Sequence, residues 1–265
     1  MERVLSQDGT PIAFHKSGSG PPLILVAGTG AANPIAWPGV VPALAADFTV
    51  CAVDRRGRGE SGDSPAYARE REVEDVAAVA AAAGTPASLL GHSFGALLAL
   101  EAARLARGLR ALILYEPLIL RPGAPLPYPA EYTGRLEAML AAGDRAGVLT
   151  AHYREAVGMS PEEIEAMKAS PAWPARLASA HTLPREMRAE EAYRFEPERF
   201  AGLDLPVMLL LGSESPPFMR ESTEWIAAAL PQSRVVELPG QGHIAMYSAP
   251  ELFVREVKEF LTGLP

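Results

Sequence analysis

Short apolar runs alternate with longer helix-forming ones along most of this 265-residue chain. Arg3–Leu5 and Pro11–Ser17 flank the turn pair Asp8-Gly9 and predict an antiparallel hairpin at the start. Pro22–Ala27, Phe48–Val53 and Ala87–His92 are continuously apolar rather than alternating, the pattern of strands buried on both faces. Leu109–Tyr115, Pro206–Leu211 and Arg234–Leu238 extend the series. Helical patterns fill the gaps over Ala36–Ala46, Arg69–Ala83, Ala96–Ala103, Met219–Leu230 and Pro250–Leu261. This order predicts an α/β fold: a mostly parallel, eight-stranded sheet with helices on both faces.

The alternation stops between about Leu120 and Phe200. Pro122, Pro125, Pro127 and Pro129 open a stretch of helical patches with no convincing strand. The expectation is a helical cap over 121–200, inserted into a core made of 1–120 and 201–265. Such a cap would lie over the C-terminal edge of the sheet, where open α/β folds bind ligands. Its aromatics and methionines are candidates to line an apolar pocket, with Tyr128, Tyr153, Trp173 and Met187 singled out as substrate contacts. For any one of them, packing between cap helices is the competing role.

Composition narrows the classes. Asp and Glu outnumber Lys and Arg by 32 to 24, giving a formal charge of −8 that disfavours a nucleic-acid partner. Apolar residues make up 48 %, enough for a sizeable core without staples. The lone Cys51 lies in an apolar run and reads as a small buried hydrophobe. No Cys/His spacing suggests a metal, no stretch approaches membrane-spanning length, and no signal-like run begins the chain, so a cytoplasmic protein is expected. A monomer or homodimer is expected.

One segment carries chemistry. The strand pattern ending at His92 runs into Gly91-His92-Ser93-Phe94-Gly95 and then directly into a helical run. Glycines two residues either side of a serine let strand and helix approach closely while the hydroxyl stands exposed at the turn. The helix N-terminus then turns free N–H groups toward the place where an oxyanion would form. Ser93 is the candidate nucleophile.

With Leu23–Gly30, the run Val53–Ser61 and Pro239–His243, this motif makes the chain resemble the α/β-hydrolase superfamily over nearly its whole length. The resemblance implies a cofactor-free hydrolase, acting on a small-molecule ester or lactone through a Ser–acid–His triad and an acyl-enzyme. It implies His243, after the last strand, as the base. Many relatives carry their acid three residues past the glycine that ends the strand corresponding to Pro206–Leu211, but counting from Gly212 that position holds Ser215. Glu116, at the end of the preceding strand, is the favoured acid, with Glu214 as the alternative. The resemblance also implies an oxyanion hole from the N–H of Phe94 and of Thr29, with Gly28 as the fallback. Ala27 stands where relatives usually have histidine.

Among the other histidines, His92 is expected to pack beside the elbow and His15 to be structural or solvated, while His152 and His181 fall in the cap. The run Asp54–Ser61 reads as a structural turn rather than a phosphate site. Carbon–carbon bond hydrolases and cofactor-free perhydrolases share this triad, and a non-catalytic receptor could retain the fold. The Ser93 position counts against epoxide hydrolases and haloalkane dehalogenases, which need aspartate there.

Overall fold

A computed structural model describes residues 1–31 and 36–264. Eight strands form one sheet in the order β1-β2-β4-β3-β5-β6-β7-β8. They are β1 (Glu2–Leu5), β2 (Pro11–Ser17), β3 (Pro22–Val26), β4 (Thr49–Val53), β5 (Ala87–His92), β6 (Leu109–Tyr115), β7 (Val207–Gly212) and β8 (Ser233–Leu238). The first two strands pair antiparallel to their neighbours and all later pairings are parallel.

The apolar strands are buried on both faces, which explains why they lack alternation. On β3, Ile24 and Val26 meet α2 (Arg69–Ala83) and α3 (Phe94–Ala102) on one side of the sheet. Leu23 and Leu25 face the other side, with α1 (Val40–Leu44) and α10 (Pro250–Thr262). α9 (Pro217–Ala229) joins the first layer through Ile226. The buried Cys51 belongs to that same core.

The helix expected over Ala36–Ala46 is shorter than its pattern. Pro38 disfavours helical backbone at Trp37, so a turn with Val40 and Val41 N–H on the Trp37 carbonyl comes first. The helix itself covers only Val40–Leu44.

Between β6 and β7 the chain leaves the sheet for five α-helices: α4 (Tyr132–Ala141), α5 (Arg145–Glu155), α6 (Pro161–Lys168), α7 (Trp173–Ser179) and α8 (Leu183–Ala192). They bury a cluster of their own that includes Tyr132, Leu136, Leu149, Ile164 and Leu183. A capping box at Ser160 and Glu163, and the Asp144 side chain on the Gly147 N–H, begin α6 and α5.

The chain passes from β3 outward to β4 and then back across to β5, so the direction of winding reverses between β3 and β5. Connections at such a point diverge and leave a crevice at the C-terminal strand ends. The loop after β3 and the turn after β5 both emerge there.

Candidate active site

The turn at Ser93 is built from close contacts and strained backbone. A β-carbon on Gly91 would come within 2.4 Å of the Gly95 carbonyl oxygen, and one on Gly95 within 2.2 Å of the Val26 oxygen. Only glycine allows α3 to pack so near β5 and β3. Ser93 has φ of 54°, and Glu116, at the end of β6, has φ of 45°. Among the described residues these are the only positive-φ positions that are not glycine. Each costs on the order of 1–3 kcal/mol and persists only where its surroundings hold it. The Ser93 N–H is fixed on the Tyr115 carbonyl at 2.9 Å and the Glu116 N–H on the Leu210 carbonyl at 3.2 Å.

Glu116 is fully buried. Its Oε2 lies 2.6 Å from His243 Nδ1, while its Oε1 accepts from the Gly212 N–H at 2.7 Å and the Ser215 hydroxyl at 2.5 Å. A carboxylate accepts only, so His243 Nδ1 carries the proton and Nε2 is left as the basic nitrogen. Glu214, the alternative acid, is exposed, and its side chain accepts instead from the neighbouring Ser213 hydroxyl. Ser215, at the position where many relatives have their acid, thus donates to the carboxylate that stands beside His243.

His92 does more than pack beside the elbow. Its Nε2 is 2.8 Å from the His243 carbonyl oxygen, and the two rings lie 4.6 Å apart. Burial, with a smaller contribution from His243, pushes its pKa well below the usual histidine value. The neutral ring therefore donates from Nε2 and braces the His243 backbone. The Tyr115 hydroxyl adds a second brace, donating to the Gly242 carbonyl and accepting from the Ala245 N–H.

The loop after β3 lies against Ser93: a β-carbon on Gly28 would come within 3.0 Å of Ser93 Cβ. Behind it stands a buried charge cluster built on arginines of the turn over residues 54–61. Arg55 makes a two-point contact with Glu72, both bonds 2.8 Å, and reaches Glu186 of α8 at 3.2 Å. Arg58 also bonds Glu186, and Thr182 at 2.9 Å. Both guanidiniums donate to the Gly28 carbonyl at 3.1 Å, and Arg58 to the Ala31 carbonyl at 2.8 Å. In a trans peptide the C=O and the next N–H point in opposite directions. Anchoring the Gly28 carbonyl on two arginines therefore turns the Thr29 N–H away from them. The first N–H groups of α3, Phe94 among them, have no intrahelical acceptor by the geometry of a helix start.

These groups meet a cavity of about 300 Å³, the lower end of the small-molecule range of about 300–1,000 Å³. Ser93, His243, His92, Gly28 and Thr29 line one side. Tyr128, His152, Tyr153, Arg176, Met187 and Glu190 line the other, from the helical insertion. Trp173, expected as a substrate contact, is not among the lining residues. It packs, half-buried, against the insertion's own cluster, because helix packing rather than the cavity claims that face of α7. His152 shares a hydrogen bond with the Tyr132 hydroxyl at 3.0 Å, and burial pushes its pKa down to about 4. His15 pairs with Asp54 at 3.1 Å, and His181 bonds the Ala178 carbonyl; neither lines the cavity. Burial, with the neighbouring Glu186 charge second, raises Glu190 to about 8.

A mostly parallel eight-stranded sheet with a serine on a strained strand-to-helix turn defines the α/β-hydrolase fold. The chain matches the model of the alpha/beta hydrolase family over residues 23–256, and it belongs to that family. It is similar to an alpha/beta hydrolase from Sphaerobacter thermophilus DSM 20745, at 39% identity and a TM-score of 0.84, covering 98% of this chain and 100% of that one. The esterase RhEst1 from Rhodococcus sp. ECU1013 is 25% identical, with a TM-score of 0.79 over 100% of this chain and 99% of its own. A pimeloyl-[acyl-carrier protein] methyl ester esterase from Methylococcus capsulatus (strain ATCC 33009 / NCIMB 11132 / Bath) is 43% identical over 96 residues, a match spanning 36% of this chain and 36% of that protein. Among the described residues no helix is long and apolar enough to cross a membrane.

Proposed function

We propose that this protein is a serine hydrolase that cleaves a carboxylic ester or lactone through an acyl-enzyme. The observation that carries the reading is the contact of 2.6 Å between His243 Nδ1 and buried Glu116, at the cavity wall that also holds strained Ser93. Ser93 Oγ attacks the carbonyl carbon as its proton passes to His243 Nε2. The N–H groups of Phe94 and Thr29 receive the tetrahedral oxyanion, and the anchored Gly28 carbonyl keeps the second donor in position. Glu116 holds the histidine tautomer and offsets the imidazolium charge. Collapse breaks the ester C–O bond, and His243 returns its proton to the leaving oxygen. Water, deprotonated by His243, then attacks the acyl carbon; the acid departs and Ser93 regains its hydrogen. In this reading residues 121–200 act as the cap, and Tyr128, Tyr153 and Met187 shape the acyl pocket.

The test is p-nitrophenol release from acyl esters of increasing chain length by wild type and Ser93→Ala, with fluorophosphonate labelling of both. Turnover and labelling that vanish together in Ser93→Ala are expected. Wild type that neither turns over nor labels at Ser93 would overturn the reading and favour a receptor that only binds. A labelled protein inert on every ester would point to carbon–carbon cleavage, checked by product analysis on a β-diketone, or to perhydrolysis.

A further inference from the structure

Arg176 stands on α7 at the cavity wall and is 7 % exposed. Its Nη1 donates to the Tyr153 hydroxyl at 3.0 Å, and the Tyr247 phenol is its second partner. Its Nε is buried and has no hydrogen-bond partner among the described residues. Among the described residues no carboxylate forms an ion pair with it, unlike Arg55 and Arg58 on the other side of the cavity. Burial raises both phenols above their ordinary value, so they stay neutral and hydrogen-bond the guanidinium without cancelling its charge. Glu190, on the same wall, is held largely protonated at neutral pH by its surroundings.

An arginine keeps its charge under all ordinary conditions. Burying it without a counter-ion is costly, and tethering α7 to neighbouring tyrosines does not require a guanidinium. A planar donor at the wall of a ligand-sized cavity, with a guanidinium N–H unpartnered and its charge uncancelled, is complementary to a carboxylate.

Resting on the hydrolase reading above, we infer that the substrate is an anionic ester: a molecule whose ester carbonyl sits at Ser93 while a free carboxylate elsewhere in it pairs with Arg176. Arg176 is then a specificity residue, and the phenols of Tyr153 and Tyr247 hold its fork in place.

The experiment compares methyl hemi-esters of linear dicarboxylic acids with matched neutral methyl alkanoates, over increasing chain length. Acyloxy-alkanoates with the carboxylate on the alcohol side form a second series. In wild type, kcat/KM for the anionic member at the best length should exceed that for its neutral match by at least about tenfold, the factor one charge-assisted hydrogen bond supplies. The difference should lie mainly in KM. In Arg176→Gln the ratio should fall toward one, and Arg176→Lys should recover part of it. A wild-type ratio of one or less in both series at every length would overturn the inference, as would a ratio unchanged in Arg176→Gln.

Calorimetric titration with the linear dicarboxylates separates this inference from the hydrolase reading. Binding weakened at least about tenfold in folded Arg176→Gln supports an anion site even if no ester is cleaved. Absent or unchanged binding overturns it even if Ser93 is reactive.

Discussion

The two walls of the cavity are built to different rules. On the sheet side, polar groups are bonded to one another: both oxygens of Glu116 are engaged, His92 and Tyr115 brace the His243 loop, and Arg55 pairs with Glu72 and shares Glu186 with Arg58. Among the described residues, the Thr29 hydroxyl at the tip of the loop and the Trp37 indole N–H are unbonded exceptions there. On the insertion side, among the described residues, Arg176 has no counter-ion and the Tyr128 hydroxyl is buried without a partner. On the proposed hydrolase reading, the contrast suits the walls to two different tasks. Satisfied networks over-determine geometry, which reaction chemistry needs. Unsatisfied groups wait for bonds that a ligand can make.

The largest break in that contrast should come from the sheet wall. Glu116→Gln should lower kcat by about 10⁴-fold through loss of the histidine tautomer, while Glu214→Gln stays within about twofold; steady-state kinetics of both variants checks this. At the seam between the walls, Glu186→Gln leaves Arg58 without its carboxylate and Arg55 with Glu72 alone. Removing one partner of a buried ion pair costs about 3–5 kcal/mol, read as a lower midpoint in urea unfolding.

Ser215→Ala deletes one bond to the buried carboxylate. A hydrogen bond to a charged group is worth about 1.5–3 kcal/mol, so kcat should drop by about tenfold with little change in KM.

On the insertion wall the effects shrink and change sign. Glu190 is raised in the folded state to about 8 from an ordinary 4.5. The unfolded chain therefore loses its proton first, and the contribution of Glu190 to stability is present below about pH 4.5 and lost as pH rises toward 8. Glu190→Gln should flatten that decline in melting curves taken across the range. Tyr128→Phe removes a buried hydroxyl with no partner, so stability should hold or rise by up to about 1 kcal/mol. A clear loss would mean that both walls follow the same rule.

The strand series and the helix pattern were legible because local periodicity records burial. Strands such as Leu23–Val26 are apolar throughout because both faces are covered. The helix at Ala36–Ala46 was overdrawn because its composition suits a helix while Pro38 imposes a turn. Trp173 is ambiguous for a related reason: an aromatic residue in the insertion reads alike whether it faces a cavity or another helix. The Ser93 turn was legible in full, since close packing at Gly91 and Gly95 is a local demand on residue size. His243 and Glu116, named as candidates, stand 2.6 Å apart.

What the chain determined by itself was therefore local: which segments are strands, where the backbone must turn sharply, and which side chains could do chemistry. What only the tertiary structure decided was pairing across distance. The register of β6 against β7 sets Glu116 beside Ser215 and the Gly212 N–H, and leaves Glu214 at the surface. The packing of α8 under the loop after β3 gives Arg55 and Arg58 a shared counter-ion, whereas the position of α7 gives Arg176 only phenols. Charge balance depends on distances of a few ångströms between residues far apart in the chain, and sequence order carries no record of those distances.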